Sequence, residues 1–228
     1  MLYKKSILSE SHNWLLHHYY IKNIEKNIKY FHGDVLDIGC GKKPYKEYFL
    51  GNTSKYIGLE YAKTLHGFDE VDVVGNSLTL PFKDNSFDNA VSFQVLEHVP
   101  EPKIFLDEAY RIVKPSGYLL LATPFMWGEH EVPYDYYRFT RYGLCYLAEK
   151  TGFEVISIEP DTKFWSMAVL RFNYYLMRFA RGHLKNIVKI IFYPIFMIDQ
   201  TFAYFMDQLP HNYTIDTIGF TTLLKKVK

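Results

Sequence analysis

Asp34-Val35-Leu36-Asp37-Ile38-Gly39-Cys40-Gly41 is the stretch whose reading decides the fold. Val35, Leu36 and Ile38 form the short apolar run expected of a strand buried on both faces of a parallel sheet. The run ends at Gly39-Cys40-Gly41, where two residues without a Cβ let the backbone turn tightly and come close to a ligand. Asp37 stands at the carboxyl end of the strand, the edge at which open α/β sheets bind their ligands. A carboxylate beside bare backbone suits a ligand carrying a cation and a nucleoside, and suits a naked pyrophosphate badly. A dinucleotide-binding turn would need a third glycine three residues after the second, for close helix packing. Pro44 holds that place, and proline fits a first helical turn.

The rest of the chain reads as alternating helices and strands around this turn. Residues 9 to 31 have a helical recurrence of Trp14, His18, Ile21, Ile24 and Ile28, with Ser9 or Ser11 as cap. His17-His18-Tyr19-Tyr20 on that helix suits packing or the rim of a pocket. A short helix from Pro44 to Leu50 leads to a second strand, Lys55 to Leu59, which ends at Glu60. A carboxylate there, about twenty residues past the glycines, can accept both hydroxyls of a ribose. Strands follow at Val71–Val74, Asp88–Phe93, Tyr118–Thr123 and Phe153–Glu159, and residues 217 to 225 close the set. The helix Glu101 to Val113 turns Ile104, Phe105, Ala109 and Ile112 inward. Thr140 caps a helix that stops at Thr151-Gly152.

A chain of 228 residues with 48% hydrophobic content has ample material for one core. A net charge of +1 offers no general attraction to nucleic acid, so none is expected as a partner. The two cysteines, Cys40 and Cys145, lie in no metal-type pair and suit a reducing cytosol. No apolar stretch follows Lys4-Lys5, so no signal peptide is expected and a cytoplasmic place is. Aromatic residues reach 18% and concentrate after residue 125.

Three further segments follow the glycine turn in order: Leu80-Pro81-Phe82-Lys83-Asp84-Asn85-Ser86-Phe87-Asp88, Val95-Leu96-Glu97-His98-Val99-Pro100, and Arg111-Ile112-Val113-Lys114-Pro115-Ser116-Gly117. With Asp37-x-Gly39-x-Gly41 this series, over residues 33 to 123, resembles the class I S-adenosylmethionine-dependent methyltransferases of the small-molecule, type 11 branch. The resemblance implies a single methyltransferase domain over residues 1–228. Its fold would be α/β, a Rossmann-like, seven-stranded, mainly parallel sheet of order 3-2-1-4-5-7-6 with helices on both faces. S-adenosylmethionine is the implied cofactor, held by Asp37, Gly39, Cys40, Gly41, Glu60, Asn76, Ser77 and Gln94. Glu60 would take the ribose and Gln94 would lie under the methionine part. Asn76 stands where similar proteins carry an aspartate facing the adenine amino group, and its carbonyl can accept the same hydrogen bond without charge. One quinone-pathway subgroup places a metal on Glu-x-x-Glu-His. This chain has Gln94 for the first glutamate, and no metal is expected.

After the fifth strand comes a loop dense in ionisable and aromatic residues, Trp127 to Thr140, the composition of a substrate pocket. An oxygen acceptor must lose a proton, which a positioned base can take. His130 is the candidate, with Asp135 as second base or as the group orienting the histidine. Arg138 could meet an anionic acceptor group, with Trp127 and Tyr134 beside it. The same three polar residues equally suit a network that fixes the loop. The run Pro133-Tyr134-Asp135-Tyr136-Tyr137-Arg138-Phe139-Thr140 looks like bacterial members associated with surface-polysaccharide or glycolipid assembly. O-methylation of a sugar or lipid-linked glycan is the resulting expectation. The alternatives are C- or O-methylation of a membrane quinone or other small lipid, and an inactive cofactor-binding relic; intact Asp37, Gly39, Gly41 and Glu60 argue against the relic.

Before the last strand, residues 163–210 form an apolar helical insertion, with Phe164 to Met206 at its centre. Read as one helix, Arg171, Arg178, Arg181, Lys185 and Lys189 fall within about 80° of each other. They lie opposite Leu170, Tyr174, Met177 and Ile187, with Gly182 as a break. A lid, a homodimer surface and a peripheral membrane helix all fit such a segment. Ile190 to Met206, about seventeen residues with Pro194 and Asp199 inside, falls short of the ~20 apolar residues of a membrane span.

Overall fold

The computed structural model describes residues 12–65, 67–178, 184–210 and 216–227, and the side chains of residues 184, 185 and 189 are outside the description. Ser9, Ser11, Arg181 and Gly182 therefore lie outside the described residues, as do the Lys185 and Lys189 side chains. The chain divides into two compact units. The larger holds Asn23–Glu159 and the strand from Gly219 onward; the smaller holds the chain up to Lys22 with Pro160–Ile218.

The larger unit is built on strands β1 (Gly33–Ile38), β2 (Thr53–Glu60), β3 (Val73–Val74), β4 (Asn89–Phe93), β5 (Tyr118–Pro124), β6 (Phe153–Pro160) and β7 (Gly219–Lys226). They form one seven-stranded sheet of order β3-β2-β1-β4-β5-β7-β6, the order the resemblance implied. The β1–β2, β1–β4, β2–β3 and β4–β5 pairs are parallel, and β5–β7 is antiparallel. Alternation along the strands feeds two cores. Leu36, Ala90, Leu119, Leu121 and Leu224 pack with Phe105, Leu106, Ala109 and Ile112 of helix α3 (Pro102–Ile112) and with Leu144 and Ala148 of α4 (Arg141–Thr151). Their neighbours Val35, Val91, Leu120 and Leu223 pack on the other face with Ile24, Phe31 and Phe49. Both faces of the central strands are thus buried, which is why their sequences run apolar without interruption.

Element ends differ from expectation in places. The first helix, α1, covers Trp14–Asn27 and passes into a 3-10 turn at Ile28–Tyr30. Helix α2 is only Lys46–Phe49, and Pro44 lies ahead of it. Strand β3 shrinks to Val73–Val74. Exposed Ile104 lies off the buried face of α3. At α4 the expected caps are present: the Thr140 Oγ1 accepts the Gly143 N–H, and Gly152 closes the helix at φ +86°.

The segments on which the resemblance rested have structural tasks here. Arg111 on α3 donates to both oxygens of Glu108, to the Leu80 and Phe82 carbonyls and to Asp84. Those bonds raise its pKa further above the usual guanidinium value, and they pin the Leu80–Asp88 segment to α3. The buried Lys226 ammonium donates to the Tyr110 and Val113 carbonyls and to Asn85, closing the end of that helix.

The smaller unit pairs α5 (Phe164–Arg178) with α6 (Leu184–Met206). The Asp207 carboxylate accepts the backbone N–H groups of Trp165 and Ser166 at 3.1 and 3.0 Å, and the Ser166 hydroxyl as well. It supplies from a distance the cap that the start of α5 lacks locally. Leu170 and Met177 are buried, and the segment read as one helix is two. The outward apolar face belongs to α6 and the residues just after it: Ile187, Ile190, Ile191, Ile195, Ile198, Phe202, Phe205 and Leu209 are all exposed. They recur every three or four residues, and the opposite face carries buried Phe196, Gln200 and Ala203. Buried Gln200 is satisfied, accepting the Leu15 N–H and donating to the Phe196 carbonyl.

Candidate active site

β1 delivers Asp37 to the carboxyl edge of the sheet and then turns through Gly39 (φ +76°) and Gly41 (φ +49°). A Cβ at Gly39 would lie 2.4 Å from Val95 Cγ2, so Val95, just past β4, packs directly on the turn. The Gly39 and Cys40 N–H groups donate to the Leu59 carbonyl. The Gly41 N–H donates to Glu60 Oε2 at 2.7 Å, and the Tyr61 N–H to Glu60 Oε1 at 2.8 Å. The carboxylate at the end of β2 is therefore held rigid beside the glycine turn. Each oxygen keeps a second lone pair for an incoming hydroxyl.

Asp37 is buried and accepts the Tyr56 phenol at 2.8 Å. Burial pushes its carboxyl up to about 7, against the lowering by the phenol and by Lys43. Cys40 is a neutral thiol, pushed up to about 12 by burial and then by the negative fields of Asp37 and Glu60. Lys43 Nζ donates to Asp72 at 2.5 Å, and Asp72 also accepts the Gly58 N–H at 2.7 Å, which ties the turn to the start of β3. Asn76 Oδ1 accepts the Leu78 N–H at 2.9 Å, so its carbonyl shapes its own turn. Exposed Asn76 and half-buried Ser77 follow β3, and Gln94 leaves β4 at φ +56°.

Two residues beyond Val95 a second cluster begins. Glu97 is fully buried, and neither of its carboxyl oxygens has a hydrogen-bond partner. Burial drives it up to about 8. His98 Nδ1 meets the Tyr134 carbonyl at 2.8 Å, and His98 Nε2 meets His130 Nε2 at 3.2 Å. Glu97 Oε1 lies 3.9 Å from His98 Nε2 and 4.0 Å from His130 Nε2. His130 Nδ1 faces the Gly128 carbonyl at 3.3 Å and Asp135 Oδ2 at 3.5 Å. Burial and the neighbouring His98 lower the His130 pKa, so the ring is neutral near pH 7.

Arg138 fixes the loop. Its Nη1 and Nη2 donate to the two oxygens of Asp135 at 2.7 and 2.6 Å, and its other bonds reach the carbonyls of Trp127, Gly128 and Tyr137. Asp135 also accepts the His130 N–H at 2.9 Å. Arg138 holds the Asp135 carboxyl down to about 2, so it stays ionised and fully occupied, a poor base. Of the two readings of His130, Asp135 and Arg138, the contacts of Asp135 and Arg138 match the loop-fixing one. Trp127 is half-buried and Tyr134 exposed on the same loop. The sequence leads to the expectation of no metal at Glu97 and His98. Their meeting with His130, thirty-two residues further on, comes from tertiary folding alone.

Known proteins share the sequence pattern of the domain and its fold. The family described as "Methyltransferase domain" matches residues 36–121. A probable S-adenosylmethionine-dependent methyltransferase of Mycolicibacterium smegmatis is 36% identical over 97 residues, 40% of this chain and 38% of that protein. The demethylmenaquinone methyltransferase of Oceanobacillus iheyensis is 30% identical over 121 residues, 46% of this chain and 51% of that protein. The chain thus spans at most about half the length of these curated relatives. A solved structure from Thermotoga maritima, described as an S-adenosylmethionine-dependent methyltransferase and possible histamine N-methyltransferase, superposes with a TM-score of 0.57. It is 20% identical and covers 96% of either chain, a likeness of fold. With its sheet order, its glycine turn between Asp37 and Glu60 and a methyltransferase domain matched over residues 36–121, this chain is similar to the class I S-adenosylmethionine-dependent methyltransferases of the type 11 branch.

Proposed function

We propose that this protein methylates a hydroxyl of an acceptor carried on lipid, a sugar of a lipid-linked glycan in bacterial surface-polysaccharide assembly. When bound, S-adenosylmethionine supplies an electrophilic methyl group on a sulfonium sulfur. Glu60, held by the Gly41 and Tyr61 N–H groups, would take the ribose hydroxyls. Asp37 and the backbone of Gly39, Cys40 and Gly41 would line the rest of the nucleoside, with Asn76 and Ser77 at the base and Gln94 beside the amino acid part. The chain's remaining task is to hold the acceptor oxygen in line and remove its proton. The observation that carries the reading is the Glu97–His98–His130 cluster, two residues beyond the Val95 that packs on the glycine turn. His130 is neutral near pH 7 and turns Nε2 into that cluster, as a proton acceptor requires. Asp135 and Arg138 hold its loop.

The exposed stripe of Ile187 to Leu209 supports a lipid-borne acceptor, since a helix face of this length exposing eight large apolar side chains suits the boundary of a bilayer. Among the described residues no helix is long and apolar enough to cross a membrane, so the contact proposed is peripheral, at the cytoplasmic face. A second reading, C- or O-methylation of a quinone or other small lipid, is favoured by the relative named demethylmenaquinone methyltransferase. The test is transfer of labelled methyl from S-adenosylmethionine by the full chain into envelope extracts, followed by phase partition and mild acid release of the glycan. Label released with the sugar is the expected result. Label that stays with a small apolar lipid selects the second reading, and no labelled product overturns both.

A further inference from the structure

We propose that Glu97, His98 and His130 bind one divalent transition-metal ion. The Tyr134 carbonyl beside His98 Nδ1, and the Gly128 carbonyl and Asp135 carboxylate beside His130 Nδ1, can only accept hydrogen bonds. With the proton of each ring on Nδ1, where those acceptors can take it, both Nε2 atoms present lone pairs. In that tautomer the two lone pairs face each other at 3.2 Å. A third donor atom, Glu97 Oε1, lies 3.9 and 4.0 Å away on a carboxyl that is fully buried and has no partner for either oxygen. The three ligand atoms all fall within 4.8 Å of one another.

Three ligand atoms converging on one point around a buried carboxyl is an unfavourable arrangement in a bare protein, because a buried carboxyl without a partner forfeits its hydrogen bonds. A cation removes the conflict at once. Two imidazoles and one carboxylate on one side of an ion, with open positions on the other, suit zinc or a neighbouring divalent transition metal better than magnesium, which prefers oxygen ligands. The surroundings match as well: ligating histidines donate their other N–H to a carbonyl or carboxylate, which fixes the tautomer, and both rings do so here. Glu131 Oε2, 4.0 Å from His98 Nε2, stands near enough to approach from the rim. Metal binding itself does not depend on the methyltransferase reading. Its use does rest on that reading and replaces His130 as the proton acceptor, since its Nε2 would ligate the ion: an acceptor hydroxyl in an open position would lose its proton more readily to solvent or to another nearby base.

The experiment uses the untagged full chain, stripped with a chelator and titrated with Co²⁺ while its visible ligand-field absorption is followed, with Zn²⁺ then added in competition. One equivalent of Co²⁺ per chain, displaced by Zn²⁺, is expected. His98→Asn and His130→Asn should each weaken binding by more than about 100-fold. Binding of S-adenosylhomocysteine and the thermal transition, measured on the same samples, report whether each variant is folded. His130→Asn keeps the His98–Tyr134 contact, so it serves if His98→Asn fails to fold. No Co²⁺ binding by the wild type, or equal affinity in both folded histidine variants, overturns the inference. S-adenosylhomocysteine binding without Co²⁺ binding overturns the metal site and leaves the methyltransferase reading. The converse overturns the methyltransferase reading and leaves the metal site.

Discussion

Gly39→Ala tests the turn on which the site is built. Gly39 has φ +76°, a region that costs an L-residue about 1–2 kcal/mol. The new methyl would also lie 2.4 and 2.8 Å from the two methyl groups of Val95, well inside contact distance. Forcing a methyl into a packed region costs about 1–3 kcal/mol, so the whole change should destabilise the protein by about 2–5 kcal/mol. The two parts are separable, because Val95→Ala removes both opposing methyl groups and leaves the backbone strain. Urea unfolding of the wild type, the two single variants and the double variant gives the cycle. A favourable coupling of about 1–3 kcal/mol in the double variant is expected, with about 1–2 kcal/mol of backbone cost remaining. Additive behaviour, with coupling below about 0.5 kcal/mol, would refute the claim that Val95 seats the glycine turn.

Four further outcomes follow from the same geometry. Asp37 has a folded-state pKa raised from 3.8 to about 7, so the folded chain binds the extra proton and ligand-free stability should fall as pH rises between about 4 and 7. The loss is at most about 4 kcal/mol; Asp37→Asn should flatten that part of the pH profile in thermal melts, and a wild-type-like slope in the variant would refute the assignment. Glu60→Gln keeps one backbone acceptor and loses the charge, so it should fold and bind S-adenosylhomocysteine about tenfold or more weakly by calorimetry; equal affinity removes the ribose role. Arg138→Lys replaces the two-pronged grip on Asp135 with a single point charge and should cost about 1.5–3 kcal/mol, seen as a lower thermal transition; an unchanged transition means the grip does not hold the loop. Ile191→Asp with Ile198→Asp should abolish co-sedimentation with anionic vesicles, each isoleucine contributing about tenfold in partitioning; a wild type that fails to sediment ends the membrane proposal.

Sequence by itself determined the strands and the glycine turn, which are local consequences of periodicity and turn chemistry: an apolar run buried on two faces, two glycines, and carboxylates at the ends of β1 and β2. The sheet order and the cofactor came with the family resemblance of the segments that follow. Tertiary structure decided what lies opposite. The side chain under Gly39 proved to be Val95, and the phenol on Asp37 proved to be Tyr56, each supplied by a neighbouring strand or the turn after one. Residues 164–206 read as one amphipathic helix because hydrophobic spacing cannot say which apolar stripe of a helix pair meets its partner. Packing buried Leu170 and Met177 and left the isoleucines of α6 outside. The Glu97-His98 pair was visible in the chain but lacked a third partner, since Gln94 holds the place expected for one. That partner is His130, carried in by a loop whose position depends on Arg138, Asp135 and two backbone carbonyls. Spacing along the chain encodes local periodicity; which lone pairs face each other is set only when distant segments close on one another.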